Sequence, residues 1–390
     1  MRLGDLIAGL SVRPSGLLVA GLPGVHNDDL RRFADVRVCD LTEDSRTVVP
    51  GSLFVARSGF KADGKRYLVA ALEAGAVAAL TDDPILTSPA GFDVPVLYAK
   101  DIRQVTGAMA ERFYGSPSNT LRLVGVTGTN GKTTITYLIW QLLNSIGHRA
   151  GLVGTVLVDD GVEVAPANMT TPPSIETSRT LSLMLEGSCR SAALEVSSHA
   201  LDQKRADALR FLVAVFSNLT GDHLDYHKTI DNYAWAKSRL FERLPLEGTA
   251  ILNAADPWAN RMVRRCKARV LRCAVVATDQ DTKPECRIQV LEESLGGMLV
   301  RLVGPWGDFQ ASVPLVGRHN AMNILQTVAS CHALGVNEAD LARGLAQVSA
   351  PPGRFERVSE PGDGFSVFVD YAHSDDSLRH VLSAAGAVMP

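Results

Sequence analysis

"LRLVGVTGTNGKTTITYLI", residues 121–139, decides the fold. A short apolar run ends in a glycine-rich turn and passes into a helical pattern, the strand–loop–helix arrangement that cradles phosphates. Glycines let backbone N–H groups approach an anion, and the helix N-terminus adds the positive end of its dipole. The spacing is offset from the usual G-x-x-x-x-G-K-[ST] loop, which wants glycine at 126. Val126 stands there, and the glycines fall at Gly125, Gly128 and Gly131. Gly128, Thr129, Asn130, Gly131, Lys132, Thr133 and Thr134 are therefore the candidate nucleotide-binding residues. Lys132 is placed to reach the β- and γ-phosphates, and the Thr133 hydroxyl to ligate Mg²⁺. A glycine-rich turn that binds nothing is the plainer reading, and G-K-T-T at a strand end argues against it.

Three more apolar runs further along end in polar clusters: "AALEV" before "SSHA", "LVAVFS" before "NLTGDH", and "AILN" before "AADP". Continuous apolar strands alternating with helical stretches predict an α/β fold with a parallel sheet wrapped by helices. Ligands in such sheets sit at the carboxyl ends of the strands. All four clusters fall there, which predicts one shared site. The first hundred residues alternate short apolar runs with turn-rich loops and read as a separate small α/β unit. "YGSPSNT" (114–120) is a turn-rich connector. After "APPGRFERV" (350–358), the sequence offers one strand, "SVFVDYAH", and one helix, "DDSLRHVLSAAGAV". A lone strand–helix unit cannot build a sheet, because a parallel partner must follow the crossover. Either the protein continues or its final domain is drastically reduced, and the expectation is a truncated chain.

The 390 residues suffice for two or three domains with real cores. With 39 Lys+Arg against 42 Asp+Glu and no long basic run, a nucleic-acid coat or membrane-surface binder is disfavoured. No cysteine pair shows zinc or thioredoxin spacing, so the six cysteines read as reduced thiols of a cytoplasmic protein. No signal-peptide pattern opens the chain, and no apolar run reaches the ~18 residues of a membrane helix.

Glu195 lies inside an apolar strand, where an unpaired carboxylate is costly and a metal ion or an ion pair must compensate it. In "SNLTGDHLDYHKTIDNYAWAKSRLF" (217–241), His223 and His227 could share a helical face as a zinc pair. One histidine beside Mg²⁺ and one structural histidine is the alternative that fits better. Lys237, in "NYAWAK", reads from its surroundings alone as a solvated helix lysine.

"GTNGKTT", "TTPP" (170–173), "EVSSHALDQKR", "NLTGDHLDYH", "NYAWAK", "NAADP", "GRHNAMN" (317–323), "PPGRFERV" and "VDYAH" occur together, in order and suitably spaced. In these motifs the whole chain resembles the Mur ligases, in particular the members that add the third residue of the peptidoglycan stem peptide. The resemblance implies three domains: a UDP-sugar-binding N-terminal α/β domain (1–102), a central P-loop parallel-sheet domain (103–350), and the start of a C-terminal Rossmann-like domain (351–390). It implies an acid–amino-acid ligase that turns a peptide carboxylate of UDP-N-acetylmuramoyl-L-Ala-D-Glu into an acyl phosphate, with release of ADP. The amine of a diamino acid then displaces phosphate. It also implies ATP and Mg²⁺ as cofactors, a cytoplasmic monomer, and no nucleic-acid or membrane partner.

Residue by residue, the resemblance assigns ATP to Gly128–Thr134, to Asn320 and Asn323, and to Arg354, Asp370 and His373. Thr133, Glu195 and His223 serve magnesium, joined by Lys237, which family members carry as a carbamate; this overturns the solvated-lysine reading. Lys132, Glu195, His223 and Lys237 are the catalytic set. Ser45, Phe60, Lys61, Ala62, Thr170, Thr171, Ser197, Gln203 and Arg205 match positions that bind the sugar-nucleotide dipeptide.

Several positions depart from the family pattern. Met169 precedes the threonine pair where a relative can carry Asn, Gly221 stands where Arg is common, Glu43 replaces an apolar residue near the uridine, and Ser374-Asp375 replaces Thr-Pro. The Asp-Asn-Pro-Arg motif that selects the diamino acid does not occur here, so meso-diaminopimelate is favoured over L-lysine only by the wording of the motifs. The rival readings are a sister ligase, for folylpolyglutamate or for D-Ala-D-Ala addition, and a nucleotide- and UDP-sugar-binding protein without catalysis.

Overall fold

The computed structural model describes residues 1–15, 32–59, 63–278, 284–359, 363, 365–372 and 375–388. Phe60, Lys61, Ala62 and His373 lie outside the described residues, as does Ser374. The chain forms two compact units, Met1–Pro117 with Pro173–Ser182 and Gln203–Leu209, and Ser118–Pro172 with Leu183–Asp202 and Arg210–Pro390.

Among the described residues, the first unit holds a five-stranded sheet of β1 (Arg13–Pro14), β2 (Asp40–Thr42), β3 (Ser52–Ala56), β4 (Ala78–Thr81) and β5 (Val96–Tyr98), in the order β1-β5-β4-β3-β2. β2 to β5 run parallel and β1 pairs antiparallel with β5. β3, "SLFVA", is buried along its whole length, as a strand covered on both faces must be. Among the described residues its helices include α1 (Leu3–Ile7), α2 (Leu68–Glu73) and α3 (Ile102–Phe113). Asp101 caps α3 by accepting from the Gln104 N–H at 3.2 Å. Ile102, Val105 and Met109, three or four apart, together with Ala110 bury one face of α3 against Leu53, Val55, Leu80 and Leu97. That packing carries the first unit past residue 102, to Pro117.

The second unit is built on an eleven-stranded sheet. Its strands and helices, in chain order, begin with β6 (Arg122–Thr127), α4 (Lys132–Ser145), β7 (Ala150–Val153), β8 (Leu157–Asp159) and β9 (Val164–Pro166). Next, α5 (Ser174–Glu186) runs from the first unit's share of the chain into the second's. Then follow β10 (Ser191–Glu195), α6 (Ser198–Asp202), β11 (Phe211–Phe216), α7 (Leu224–His227), α8 (Ile230–Glu242), β12 (Thr249–Asn253) and α9 (Ala259–Met262). β13 (Arg269–Val275), β14 (Cys286–Ser294), β15 (Gly297–Gly304), β16 (Gly307–Val313), α10 (Asn320–Ala333) and α11 (Glu338–Leu345) complete this part.

The sheet order is β16-β15-β14-β13-β12-β11-β6-β10-β7-β8-β9, parallel from β14 to β7 and antiparallel at both edges. β6 lies between β10 and β11, so the chain reverses its direction of travel across the sheet there. That is the switch point at which α/β sheets open a crevice. α4 explains itself by periodicity: Ile135, Leu138, Ile139, Leu142 and Leu143 are all fully buried and join Val124, Val126, Ile324, Leu325 and Val328 in one core.

Where one strand was expected after residue 350, there are two. β17 (Glu356–Arg357) and β18 (Phe368–Val369) pair antiparallel, held by stacking of Phe355 on Phe368 at 4.5 Å, and α12 (Asp375–Val388) follows. All six cysteines are free thiols. Among the described residues, no helix is long and apolar enough to cross a membrane.

Candidate active site at the ends of the central strands

The loop after β6 is shaped by two glycines. Gly131 caps α4 at φ +85°, in the left-handed region, and a Cβ there would stand 2.8 Å from Asn323 Oδ1. Gly128, at φ +153°, has no room for a Cβ at all, because the Ser217 hydroxyl fills the space. The polar cluster after β11 clamps the loop. Thr129 N–H donates to Asn218 O and Asn130 N–H to Asn218 Oδ1, both at 2.9 Å, while Ser217 Oγ donates to Asn130 O. The loop is thus held open around its own backbone before any ligand arrives, as a preorganised anion site requires.

Two lysines converge on one carbonyl. Lys132 Nζ donates to Gly128 O at 3.0 Å and Thr129 O at 2.7 Å, and Lys237 Nζ, from α8, donates to Gly128 O at 2.7 Å. Burial pulls the pKa of both amines down, and for Lys237 the charge of Lys132 adds to the effect. Lys237 is only 1% exposed, so it is no solvated helix lysine. Its Nζ lies 4.3 Å from the centre of the Tyr233 ring, whose hydroxyl sits 3.3 Å from Thr129 Oγ1. Burial raises the pKa of that phenol.

Glu195 ends β10 with no exposed surface. Its Oε1 accepts from the Thr155 N–H at 2.7 Å, and its Oε2 from the hydroxyls of Thr133 and Thr155, each at 3.1 Å. No lysine, arginine or histidine among the described residues pairs with it. A buried carboxylate with neutral donors only is the donor set a hard cation would complete. No group of three or more His, Cys, Asp or Glu forms a ready-made cage among the described residues. That composition suits Mg²⁺, which takes one or two carboxylates and fills its sphere with phosphate and water.

His223 follows the β11 cluster at φ +54°, half exposed, with its Nε2 3.5 Å from Asp222 Oδ2. Its ring packs edge-on to His199 at 4.8 Å and lies 6.2 Å from Tyr233. It touches neither Glu195 nor Lys237. His227 is buried, bonded through Nε2 to Ser198 Oγ at 3.0 Å, and its pKa falls to about 4, chiefly through burial and then the neighbouring His199. That engagement makes it a structural histidine and leaves the zinc pair without a second ligand.

The remaining expected residues divide between the two units. In the second, Asn320 Nδ2 donates to Val316 O and its Oδ1 accepts from Asn323 Nδ2, which sets the asparagine pair beside Gly131. Arg354 Nη2 reaches the Thr133 hydroxyl at 3.4 Å, and its guanidinium lies over the Tyr371 ring. Asp370 spends both oxygens on backbone, accepting from the Phe355 and Ala372 N–H groups at 2.7 Å. Thr171 Oγ1 donates to Glu195 O at 2.8 Å and accepts from the Ser197 N–H, and Thr170 Oγ1 lies 3.1 Å from Thr155 Oγ1.

In the first unit, Ser45 opens a short turn capped by Asp44. Gln203 Oε1 accepts twice from Arg205, in a pocket also lined by Glu43, Arg57, Arg103 and Thr106. Glu43 is explained there: it forms a two-bond pair with Arg57, at 3.0 and 2.8 Å. A Cβ at Gly221 would meet nothing within 4 Å.

Sequence reasoning passed over Thr155, Ser217 and Asn218. The last two lay inside a quoted cluster without a role. Thr155 follows the apolar run "AGLV" of β7, and applying the strand-end rule to that run would have found it.

Residues 126–331 match the Mur ligase middle domain, and residues 40–114 match the Mur ligase family catalytic domain. The UDP-N-acetylmuramoyl-L-alanyl-D-glutamate--2,6-diaminopimelate ligase of Geobacillus thermodenitrificans (strain NG80-2) is 39% identical over 373 residues, 94% of this chain and 73% of its own length. The ligase of the same name from Chlorobium phaeobacteroides (strain DSM 266 / SMG 266 / 2430) is 38% identical over 89% of this chain and 69% of its own. A solved structure bearing that name superposes with a TM-score of 0.76 at 29% identity, over 92% of this chain and 72% of that one.

Proposed function

The chain belongs to the Mur ligase family, and on that premise we propose that it joins a diamino acid, meso-2,6-diaminopimelate, to UDP-N-acetylmuramoyl-L-alanyl-D-glutamate in the cytoplasm, at the expense of ATP. The observation that carries the reading is the pairing of a preorganised phosphate loop with a buried carboxylate that, among the described residues, accepts from neutral donors only: Thr133, inside the loop, donates to Glu195 at 3.1 Å.

The loop of Gly128–Thr134 receives the triphosphate, with Lys132 as the cation beside the phosphoryl group in transfer. Its present partners are backbone carbonyls, which it can exchange for phosphate oxygens without a large movement. Asn320 and Asn323 bound the loop on the adenine side. Arg354, with Asp370 holding its loop through two backbone N–H groups, supplies a second cation from the part of the chain after 350. Thr133, Glu195 and His223 would hold Mg²⁺, which when bound would supply neutralisation of the converging negative charge.

The phosphoryl group passes from ATP to the D-glutamate carboxylate and ADP leaves. The diamino acid's amine then attacks the acyl carbon, and the tetrahedral adduct expels phosphate and sheds a proton. In the second unit Thr170, Thr171 and Ser197, and in the first Ser45, Gln203 and Arg205, are this reading's candidates for contacting the acceptor. Lys237 supports a carbamate: a neutral amine adds to CO₂, releasing one proton, and the product carboxylate would lie beside the Lys132 ammonium instead of an ammonium beside an ammonium. The functional division into 1–102, 103–350 and 351–390 belongs to the same reading.

The test is product formation by the 390-residue chain with ATP, Mg²⁺, bicarbonate and the acceptor, offering diaminopimelate and lysine together. A product heavier by one diaminopimelate residue, formed with ADP, is expected. ADP release that is independent of any amino acid, with no heavier product, would overturn the reading.

A further inference from the structure

Thr155 is half outside the protein, yet it makes more contacts with the Glu195 carboxylate than any other residue does. Its N–H reaches Oε1 at 2.7 Å and its hydroxyl reaches Oε2 at 3.1 Å, so one residue fixes both oxygens and with them the plane of the carboxylate. Gly154 makes this possible. A Cβ at 154 would stand 2.8 Å from Glu195 Oε1, so the Gly154–Thr155 turn can close over the carboxylate only without one. On its other side, the Thr155 hydroxyl lies 3.1 Å from Thr170 Oγ1. A hydroxyl has one proton and a carboxylate only accepts. The Thr155 hydroxyl therefore has two acceptors for its one proton, Glu195 Oε2 and Thr170 Oγ1, and stands between them.

We propose that Thr155 is a positioning residue that holds the Glu195 carboxylate in register for a divalent cation and links it to the acceptor-side threonine Thr170. The inference rests on the reading of Glu195 as a metal ligand given above. It assigns the exposed turn after β7 a purpose that packing does not supply, since Thr155 contributes nothing to the core. Partners that orient a metal-binding carboxylate change metal affinity by about 10- to 100-fold when removed. Thr155→Val keeps the N–H bond and deletes only the hydroxyl, so the lower end of that range applies. The link through Thr170 adds a second consequence: occupation of the acceptor side and of the cation side should assist each other, and the assistance should pass through the Thr155 hydroxyl.

The experiment measures Mn²⁺ binding directly, by the electron-spin signal of the free ion, in the presence of an ATP analogue that is not hydrolysed. It compares the parent chain, Thr155→Val, Thr155→Ser and Gly154→Ala. Thr155→Val should raise the Mn²⁺ Kd about tenfold with the thermal midpoint unchanged, and Thr155→Ser should restore the parent value. Gly154→Ala, whose added methyl meets the carboxylate itself, should raise the Kd at least as much. Added acceptor should tighten Mn²⁺ binding in the parent and not in Thr155→Val. A parent chain that binds Mn²⁺ while Thr155→Val stays within twofold of it overturns the inference alone. A parent chain with no Mn²⁺ affinity overturns the metal reading of Glu195 and this inference with it.

Discussion

Replacing Lys237 by methionine should flatten the pH dependence of the second unit's stability. The side chain is 1% exposed, its Nζ finds one carbonyl, and burial together with Lys132 pulls its pKa well down. In the unfolded chain the same amine returns to a pKa of about 10.4. Between the lowered folded value and ~10.4, unfolding therefore takes up one proton, and stability rises with pH by about 1.4 kcal/mol per unit. The stability is complete above the unfolded value and is lost as pH falls towards the folded one.

Urea unfolding in CO₂-free buffer at two pH values below ~10.4 should thus give a steeper parent slope than that of Lys237→Met, approaching ~1.4 kcal/mol per unit where the folded amine is neutral and the unfolded one charged. All four tryptophans, Trp140, Trp235, Trp258 and Trp306, belong to the second unit, so intrinsic fluorescence reports on it alone. Bicarbonate should then stabilise the parent and not the variant, because a carbamate forms on the folded amine only. Equal slopes would mean that Lys237 folds as an ammonium, and the argument for its reaction with CO₂ would fail.

Lys132→Ala should reduce ATP-dependent turnover by about 10² to 10³, read by coupled ADP release, because it deletes the cation beside the transferring phosphoryl group. Gly131→Ala places a left-handed alanine at φ +85° against Asn323 Oδ1; a loss of about 1–2 kcal/mol in unfolding free energy is expected, with weaker ATP binding by calorimetry. Glu195→Gln removes a buried carboxylate that accepts from neutral donors only. It should abolish Mg²⁺-dependent turnover while raising metal-free stability by about 1 kcal/mol, and a variant both less stable and still metal-activated would contradict the assignment.

The sheet was legible because β6, β10, β11 and β12 are each continuous apolar runs that end abruptly in polar residues, a pattern that parallel strands buried on both faces must show. The phosphate loop was legible because its glycines answer to backbone geometry. Lys237 could not be read from its surroundings: the periodicity of "NYAWAK" places a lysine on a helix but not on the face that meets Gly128. Glu43 looked anomalous in isolation, since its partner Arg57 lies fourteen residues on, across β3. Thr155 was hidden for a related reason, as its role depends on Glu195 forty residues later. The packing of α3 backward onto strands already laid down is announced by no composition shift.

The most direct test follows oxygen. The acceptor is prepared with heavy oxygen in its D-glutamate carboxylate and turned over with ATP, Mg²⁺ and diaminopimelate, and the released phosphate is weighed. Activation through an acyl phosphate carries one labelled oxygen into each phosphate formed, with ADP and amide product in equal amounts. Unlabelled phosphate alongside amide product, or label retained entirely in the peptide, would contradict the account.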